Sequence, residues 1–273
     1  MMHQGRLPSF SLLLLVAPLT GFASADFPAP LLQQNSLELK NTATTISYNR
    51  ALKVADWVFY PLGAGQLEAC VDRGNSFRPD PRLNRDEAAE LADYKGSGFD
   101  RGHLSPAGDN RWSQAVMDES FVLSNVTPQP PAFNRGIWGR LENLVRAWAS
   151  AKGGLWVATG PLLTGTLDTI GDDKLAVAQY FYKVIATQQG NKREAAAFLL
   201  PTDASGDFGQ YETSVSHLEQ LSGLTFLDGL PNEREVKDTL NPKSWDLQAK
   251  FSYLPCSSVK PSAMEWAWGL TAP

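Results

Sequence analysis

The chain has 273 residues, 43% of them hydrophobic and including 8 Trp, 13 Phe and 7 Tyr, with a net charge of −5. That is enough apolar side chain for one large domain or two small ones, and it excludes a chain disordered beyond its ends. The acidic balance argues against binding nucleic acid through bulk positive charge, so chemistry on such a polymer would need a local constellation.

The first 25 residues read as an export signal: a basic start with Arg6, an apolar stretch from about Phe10 to Phe22, and Ala23-Ser24-Ala25 before a predicted cut at Asp26. The apolar stretch is short and broken by Pro18 and Gly21, and no later segment has the length of a membrane span. The mature chain, residues 26–273, is then expected to be a single exported domain, periplasmic or secreted, with a net charge of −6 once Arg6 is gone. Two cysteines, Cys70 and Cys256, remain for an oxidising compartment. A single disulfide is permitted; two separate buried thiols are the alternative.

Along the mature chain, Thr44–Ser47 and Asp56–Tyr60 read as short strands. Residues 73–99 are loop-rich, with a short helix expected near Asp86–Leu91. Phe121–Leu123 reads as a strand, and the prolines that follow forbid a helix before about Arg135. From there Ile137, Leu141, Leu144, Val145 and Trp148 recur at helical spacing, while Arg135, Glu142 and Arg146 share the opposite arc. Gly154–Thr159, Tyr180–Ile185 and Ala195–Leu200 read as strands of a central sheet, and Ser214–Leu221 as a helix stopped by Gly223.

Only His103 and His217 survive removal of the signal, so imidazole chemistry must use one of them. His217 lies on an amphipathic helix, whereas His103 sits in Asp100-Arg101-Gly102-His103, among glycine, proline and charge. Between residues 73 and 146 the cations are nine arginines and one lysine, and guanidinium forks suit phosphate oxygens. Hydrolysing a phosphodiester requires a water to be deprotonated, negative charge at phosphorus to be neutralised and the leaving alkoxide to be stabilised. A neutral His103, arginines and a divalent ion held by Asn134, with Glu142 nearby, match those roles. Each residue also has a plainer reading: Asn134 as a helix cap, Glu142 and Arg146 as an i,i+4 surface pair, Asp109 as a turn residue, and Asp100 and Arg101 as braces of a polar turn.

Three blocks in order, Asp100-Arg-Gly-His, Ser124-Asn-Val-Thr-Pro-Gln129 and Asn134-Arg-Gly-Ile-Trp-Gly-Arg-Leu-Glu142, resemble the DNA/RNA non-specific endonucleases of the ββα-metal (His-Me finger) group, over about residues 57–230. The resemblance implies an α+β fold with a central, mostly antiparallel sheet flanked by helices. It implies an enzyme cutting DNA and RNA to 5′-phosphate and 3′-hydroxyl ends with Mg²⁺, Mn²⁺ or another divalent ion. In those terms His103 is the general base, Asn134 the direct ligand of the ion, Glu142 the residue positioning water beside it, and Arg146 a phosphate contact. Arg73 matches an upstream transition-state arginine, with Arg78 as its close rival, and Arg101 and Arg135 would bind substrate. A homodimer and an inhibitor protein are further expectations from the family.

A nuclease scaffold that binds nucleic acid without turnover is the competing reading. It is disfavoured because every expected polar residue is present and no basic block is interleaved with aromatics. Serine-esterase and zinc-protease chemistry lack their Gly-x-Ser-x-Gly and His-Glu-x-x-His elements.

Overall fold

A computed structural model describes residues 29–34, 36–230, 232–240 and 245–256; the expected signal, 1–25, lies outside the described residues. The principal elements in chain order are β1 (Ser36–Lys40), β2 (Thr45–Asn49), β3 (Val54–Gly63), β4 (Asp100–His103), β5 (Val126–Gln129), α1 (Gly139–Lys152), β6 (Gly154–Pro161), β7 (Tyr180–Gln189), β8 (Lys192–Pro201), β9 (Glu212–Thr213), α2 (Val215–Ser222) and α3 (Glu233–Asp238). Seven of the strands form one sheet in the order β1-β2-β3-β6-β7-β8-β9, each pair antiparallel.

The long apolar runs of β6, β7 and β8 follow from burial on both faces, since alternate side chains must each find a core. Phe181, Ile185, Ala196, Phe198, Leu155 and Val157 pack toward Leu141, Val145 and Trp148 of α1. Their neighbours Trp156, Ala158, Tyr182, Val184, Ala195 and Ala197 pack with Val215 and Leu218 of α2 and Val236 of α3. Three layers result, with the sheet in the middle. In β3 the register with β2 jumps from Ser47↔Trp57 to Tyr48↔Ala55, leaving Asp56 as an inserted residue. Its carboxylate accepts hydrogen bonds from Ser36, Ser47 and Asn49, which fixes the bulge.

Outside the sheet, β4 and β5 pair antiparallel, with Asp100↔Gln129 and His103↔Val126. Pro130 and Pro131 then turn the chain toward α1. The Asp100–His103 stretch is therefore a strand, not the polar turn its composition suggested. The strand expected at Phe121–Leu123 is displaced to Val126–Gln129; Phe121 ends a helix and Val122 makes only an isolated bridge to Arg78. Pro128 is tolerated because this two-stranded unit has free edges. The helix expected at Asp86–Leu91 is instead a single turn, Leu91–Tyr94.

Cys70 and Cys256 form the disulfide, so the alternative of two separate thiols is not realised. The bridge ties the C-terminal segment beside Glu68–Ala69, where Leu254–Pro255 pairs in parallel. No helix among the described residues is long and apolar enough to cross a membrane.

Candidate active site

His103 ends β4 with only 7% of its surface exposed. Its ring lies edge-on to Phe121 at a centroid distance of 4.9 Å and tilted against Phe77 at 5.1 Å. The Arg101 guanidinium stacks on Phe77 at 4.3 Å and that of Arg73 on Phe121 at 5.4 Å. Neither guanidinium has an ion-pair partner among the described residues, and the buried Nε2 of His103 has no hydrogen-bond partner. Burial, then the charges of Arg73 and Arg101, pull the imidazole pKa from 6.5 down to about 3. The ring is thus neutral, with a lone pair held beside two unpaired cations.

The strand after His103 is clasped by Asn125. Its side chain accepts from the Ser105 N–H at 2.9 Å and donates to the carbonyls of Ser105 and Ser120, while its own carbonyl accepts from Leu104 N–H. Gly102 is required for close approach, because a Cβ there would run into the buried Gln129 side chain.

Asn134 lies where the chain winds through one wide π-type turn, Asn134–Trp138, before α1 begins. Its amide nitrogen donates to Asp100 Oδ2 at 2.9 Å, and Arg135 grips the same carboxylate with two bonds of 2.7 and 2.6 Å. Burial opposes ionisation of Asp100, but the hydrogen bonds from Arg135 and Asn134 outweigh it and hold the carboxyl below its usual range. A carboxylate can only accept, so Asp100 fixes the amide and leaves the Asn134 oxygen free to face a cation. Asn134 is not an N-cap: it lies within the helical run, after Phe133, and its side chain bonds to β4.

Glu142 is half-buried on the first turn of α1. Burial pushes its pKa up to about 7, against the pull of Arg146, Lys183 and Arg73; Asp109 adds to the rise. The charge of Arg73 therefore acts on both His103 and Glu142. Arg146, one turn further on, is only 5% exposed. It donates to Asp109 Oδ1 at 2.6 Å and to Asn143 at 2.9 Å, and Tyr60 donates to the other Asp109 oxygen at 2.9 Å. Gly108 makes room for it: a Cβ there would sit 2.6 Å from Arg146 Nη1 and 2.9 Å from the Tyr253 hydroxyl.

Arg101 and His103 lie on β4, Asn134 and Arg135 are tied to the same strand through Asp100, and the charge of Arg73 acts on both His103 and Glu142. Arg146 is committed to Asp109 instead of standing open on the surface as its helical arc suggested. Arg78 points away, donating to the Asp118 and Ser76 carbonyls. His217 is exposed on α2, far from this chemistry in the chain and on the opposite layer. Sequence reasoning missed Asp109 as a buried anion, Asn125, Phe77 and Phe121. No local pattern marks the pairing of Asp109 with Arg146, which lie 37 positions apart.

The donor set suits a hard, largely hydrated divalent cation. Such an ion accepts one or two protein oxygens, and the Asn134 oxygen, fixed through the amide's bond to Asp100, can supply one. Among the described residues the one trio of His, Cys, Asp or Glu atoms within ligating range is Glu68, Cys70 and Cys256, whose sulfurs are spent in the disulfide.

Comparison with known proteins agrees with this geometry. A family profile described as DNA/RNA non-specific endonuclease matches residues 24–233. Nuclease C1 of Cunninghamella echinulata var. echinulata is 39% identical over 209 residues, 70% of this chain and 83% of that one. The human mitochondrial nuclease EXOG is 32% identical over 240 residues, 80% of this chain but 65% of its own length, so the chain spans less than two thirds of that relative. A crystal structure of the EndoG/EndoGI complex matches with a TM-score of 0.68 and 30% identity, over 71% of this chain and 87% of the other. The antiparallel sheet, the ββα unit that carries His103 and Asn134, and these relatives together make the chain a member of the DNA/RNA non-specific endonuclease family, a hydrolase of the ββα-metal fold.

Proposed function

We propose that the protein is an exported, divalent-ion-dependent endonuclease that cuts DNA and RNA with little sequence preference, and that His103 is its general base. The observation that carries this reading is the neutral His103, its Nε2 without a hydrogen-bond partner and flanked by two arginines without acidic partners among the described residues.

In the proposed reaction the lone pair on His103 takes a proton from water as the water oxygen attacks phosphorus. The bond to the 3′ oxygen breaks in line, and the alkoxide takes a proton from solvent, giving a 5′-phosphate and a 3′-hydroxyl. Arg73 and Arg101 receive the non-bridging oxygens; both are stacked, so little freedom is lost when phosphate arrives. Asn134 would hold the cation through its oxygen, and Glu142 would orient water on the cleft floor. A bound Mg²⁺, or Mn²⁺ in its place, would neutralise a phosphate oxygen and the departing alkoxide. Arg146 acts from behind, holding the floor in place through Asp109. Arg135, clamped on Asp100 but largely exposed, can still meet a phosphate along the strand. Contacts limited to phosphates carry no base sequence.

Export rests on the N-terminal pattern and fits the Cys70–Cys256 disulfide, which persists in oxidising compartments. A homodimer and a protein inhibitor belong to the same proposal. Support for the second is that the solved neighbour is described as a complex explaining EndoG inhibition.

The test is incubation of the purified protein with plasmid DNA and with RNA, with Mg²⁺ or with excess chelator. Nicking of both polymers only with the ion is expected, and undiminished cutting in chelator would contradict the role given to Asn134.

A further inference from the structure

A groove of about 740 Å³ opens beside α1, between the loop that follows β8 and the segment 245–256. That segment lies beyond residue 233, where the family match ends, and it is strapped down along its length. The Trp245 ring packs edge-on to Trp148 at 5.0 Å, the Asp246 carbonyl accepts from Trp148 Nε1 at 2.8 Å, Tyr253 donates to the Gly108 carbonyl at 3.1 Å, and Cys256 closes the bridge to Cys70. To the groove the strap presents Ala249 and Phe251, both half-buried, with the exposed Lys250 between them. Phe208, half-buried as well, lines it from the loop, and the Arg140 guanidinium lies 5.5 Å from the centre of that ring. Arg140 spends one bond on the Gly206 carbonyl at 3.1 Å and, like Lys250, has no acidic partner among the described residues. The carboxylate in the lining, Asp207, is turned onto the Gly209 N–H at 3.0 Å.

Asn143 joins this groove to the candidate active site. It follows Glu142 in the chain, lines the groove and accepts from Arg146 Nη2 at 2.9 Å, while the Arg146 guanidinium lies 5.8 Å from the centre of the Phe251 ring. Half-exposed rings beside unpaired cations are the make-up of surfaces that track single-stranded nucleic acid, where bases stack on the rings and cations follow the phosphates. The volume falls among those of small-molecule sites, about 300–1,000 Å³, which leaves room for a nucleotide. Residues 140, 208 and 250–251 come from three distant segments, so no basic block interleaved with aromatics is visible in the sequence.

Resting on the nuclease reading above, we propose that this groove is a subsite for single-stranded DNA or RNA: beyond the bond being cut, an unpaired base packs against the Phe208 and Phe251 rings while Arg140 and Lys250 hold the flanking phosphates. In a duplex the bases are stacked on one another and paired, so a duplex has none to give and gains nothing here. Every base has a flat face, so the subsite adds affinity without reading sequence. Its residues touch neither the attacking water nor the phosphate under attack, so it acts on binding and leaves the chemical step alone.

The experiment measures binding and cutting separately in wild type, Phe208→Leu and Arg140→Gln. Binding is read in excess chelator as the fluorescence anisotropy of a labelled oligothymidylate and of a labelled, fully paired duplex; cutting is read as kcat and KM on the same two DNAs with Mg²⁺. Leucine keeps most of the apolar bulk of Phe208, so the fold should be retained, but it has no flat face to offer a base. For each variant the single strand should bind about fivefold to tenfold more weakly and its KM should rise in step, with kcat and the affinity for duplex within about twofold of wild type. Arg140→Gln should also lower the slope of single-strand affinity against salt, on logarithmic axes, by about 0.7. Single-strand affinity equal to wild type in both variants, or equal losses on single strand and duplex, would overturn the proposal. If Phe208→Leu fails to fold, Arg140→Gln, which changes an exposed side chain, decides by the same criteria. A wild-type protein that binds the single strand but cuts neither DNA would defeat the nuclease reading, while the anisotropies would still report on the groove.

Discussion

The surroundings of His103 and those of Glu142 solve opposite electrostatic problems. Around His103 the surroundings are aromatic and cationic, so the imidazole is kept uncharged and its nitrogen unengaged. Around Glu142 lie the buried charges of Arg146, Lys183 and Asp109; the two cations favour its carboxylate while burial pushes its pKa up to about 7. A base must be neutral to accept a proton, and a group that orients water beside a cation must be charged. One polypeptide meets both needs within a few side chains by using rings on one side and ion pairs on the other.

The largest expected effect comes from removing the oriented amide. Asn134→Ala should lower nicking by several kcal/mol of transition-state stabilisation with the fold intact, measured as kcat/KM with Mg²⁺. Asp109→Ala strikes the charged surroundings of Glu142 instead and leaves Arg146 buried without its anion, so a loss of about 3–5 kcal/mol in unfolding free energy is expected in denaturant titrations. A mild effect there would mean that these surroundings are more hydrated than their burial implies.

The pH dependence separates the two settings. Because His103 titrates only near 3 while Glu142 titrates near 7, the acid limb of activity should follow Glu142 and fall about tenfold per pH unit below 7. Glu142→Gln should flatten that limb. The imidazole leaves its mark on stability: its folded pKa is depressed, so the unfolded chain takes up a proton that the folded chain refuses. Stability present above about 6.5 is then lost progressively as the pH falls toward 3, to be followed by thermal melts. The smallest effect is on the stacked arginines, where Arg101→Lys keeps the charge but loses the planar fork; a loss of about tenfold or less in kcat/KM is expected, with the fall in rate on adding salt unchanged.

The sheet core was legible because β6, β7 and β8 carry near-continuous apolar runs and α1 a regular 3.6-residue stripe. His103 and Asn134 were legible as members of ordered motif blocks. Their setting was not. Asp100–His103 reads as a turn because glycine and charge are poor strand formers, yet Gly102 is there to let Gln129 approach. Arg146 sits on the polar arc of α1, and helical spacing alone cannot reveal that Asp109, 37 positions earlier in the chain, is packed beneath that arc. Asp109 and Asn125 owe their roles to contacts between elements distant in sequence, which no local pattern encodes.

The central claim is the neutral imidazole as proton acceptor, and plasmid nicking by folded His103→Ala protein in Mg²⁺ tests it most directly. A loss of about 10²–10⁴-fold relative to wild type is predicted. Cutting at the wild-type rate would contradict it.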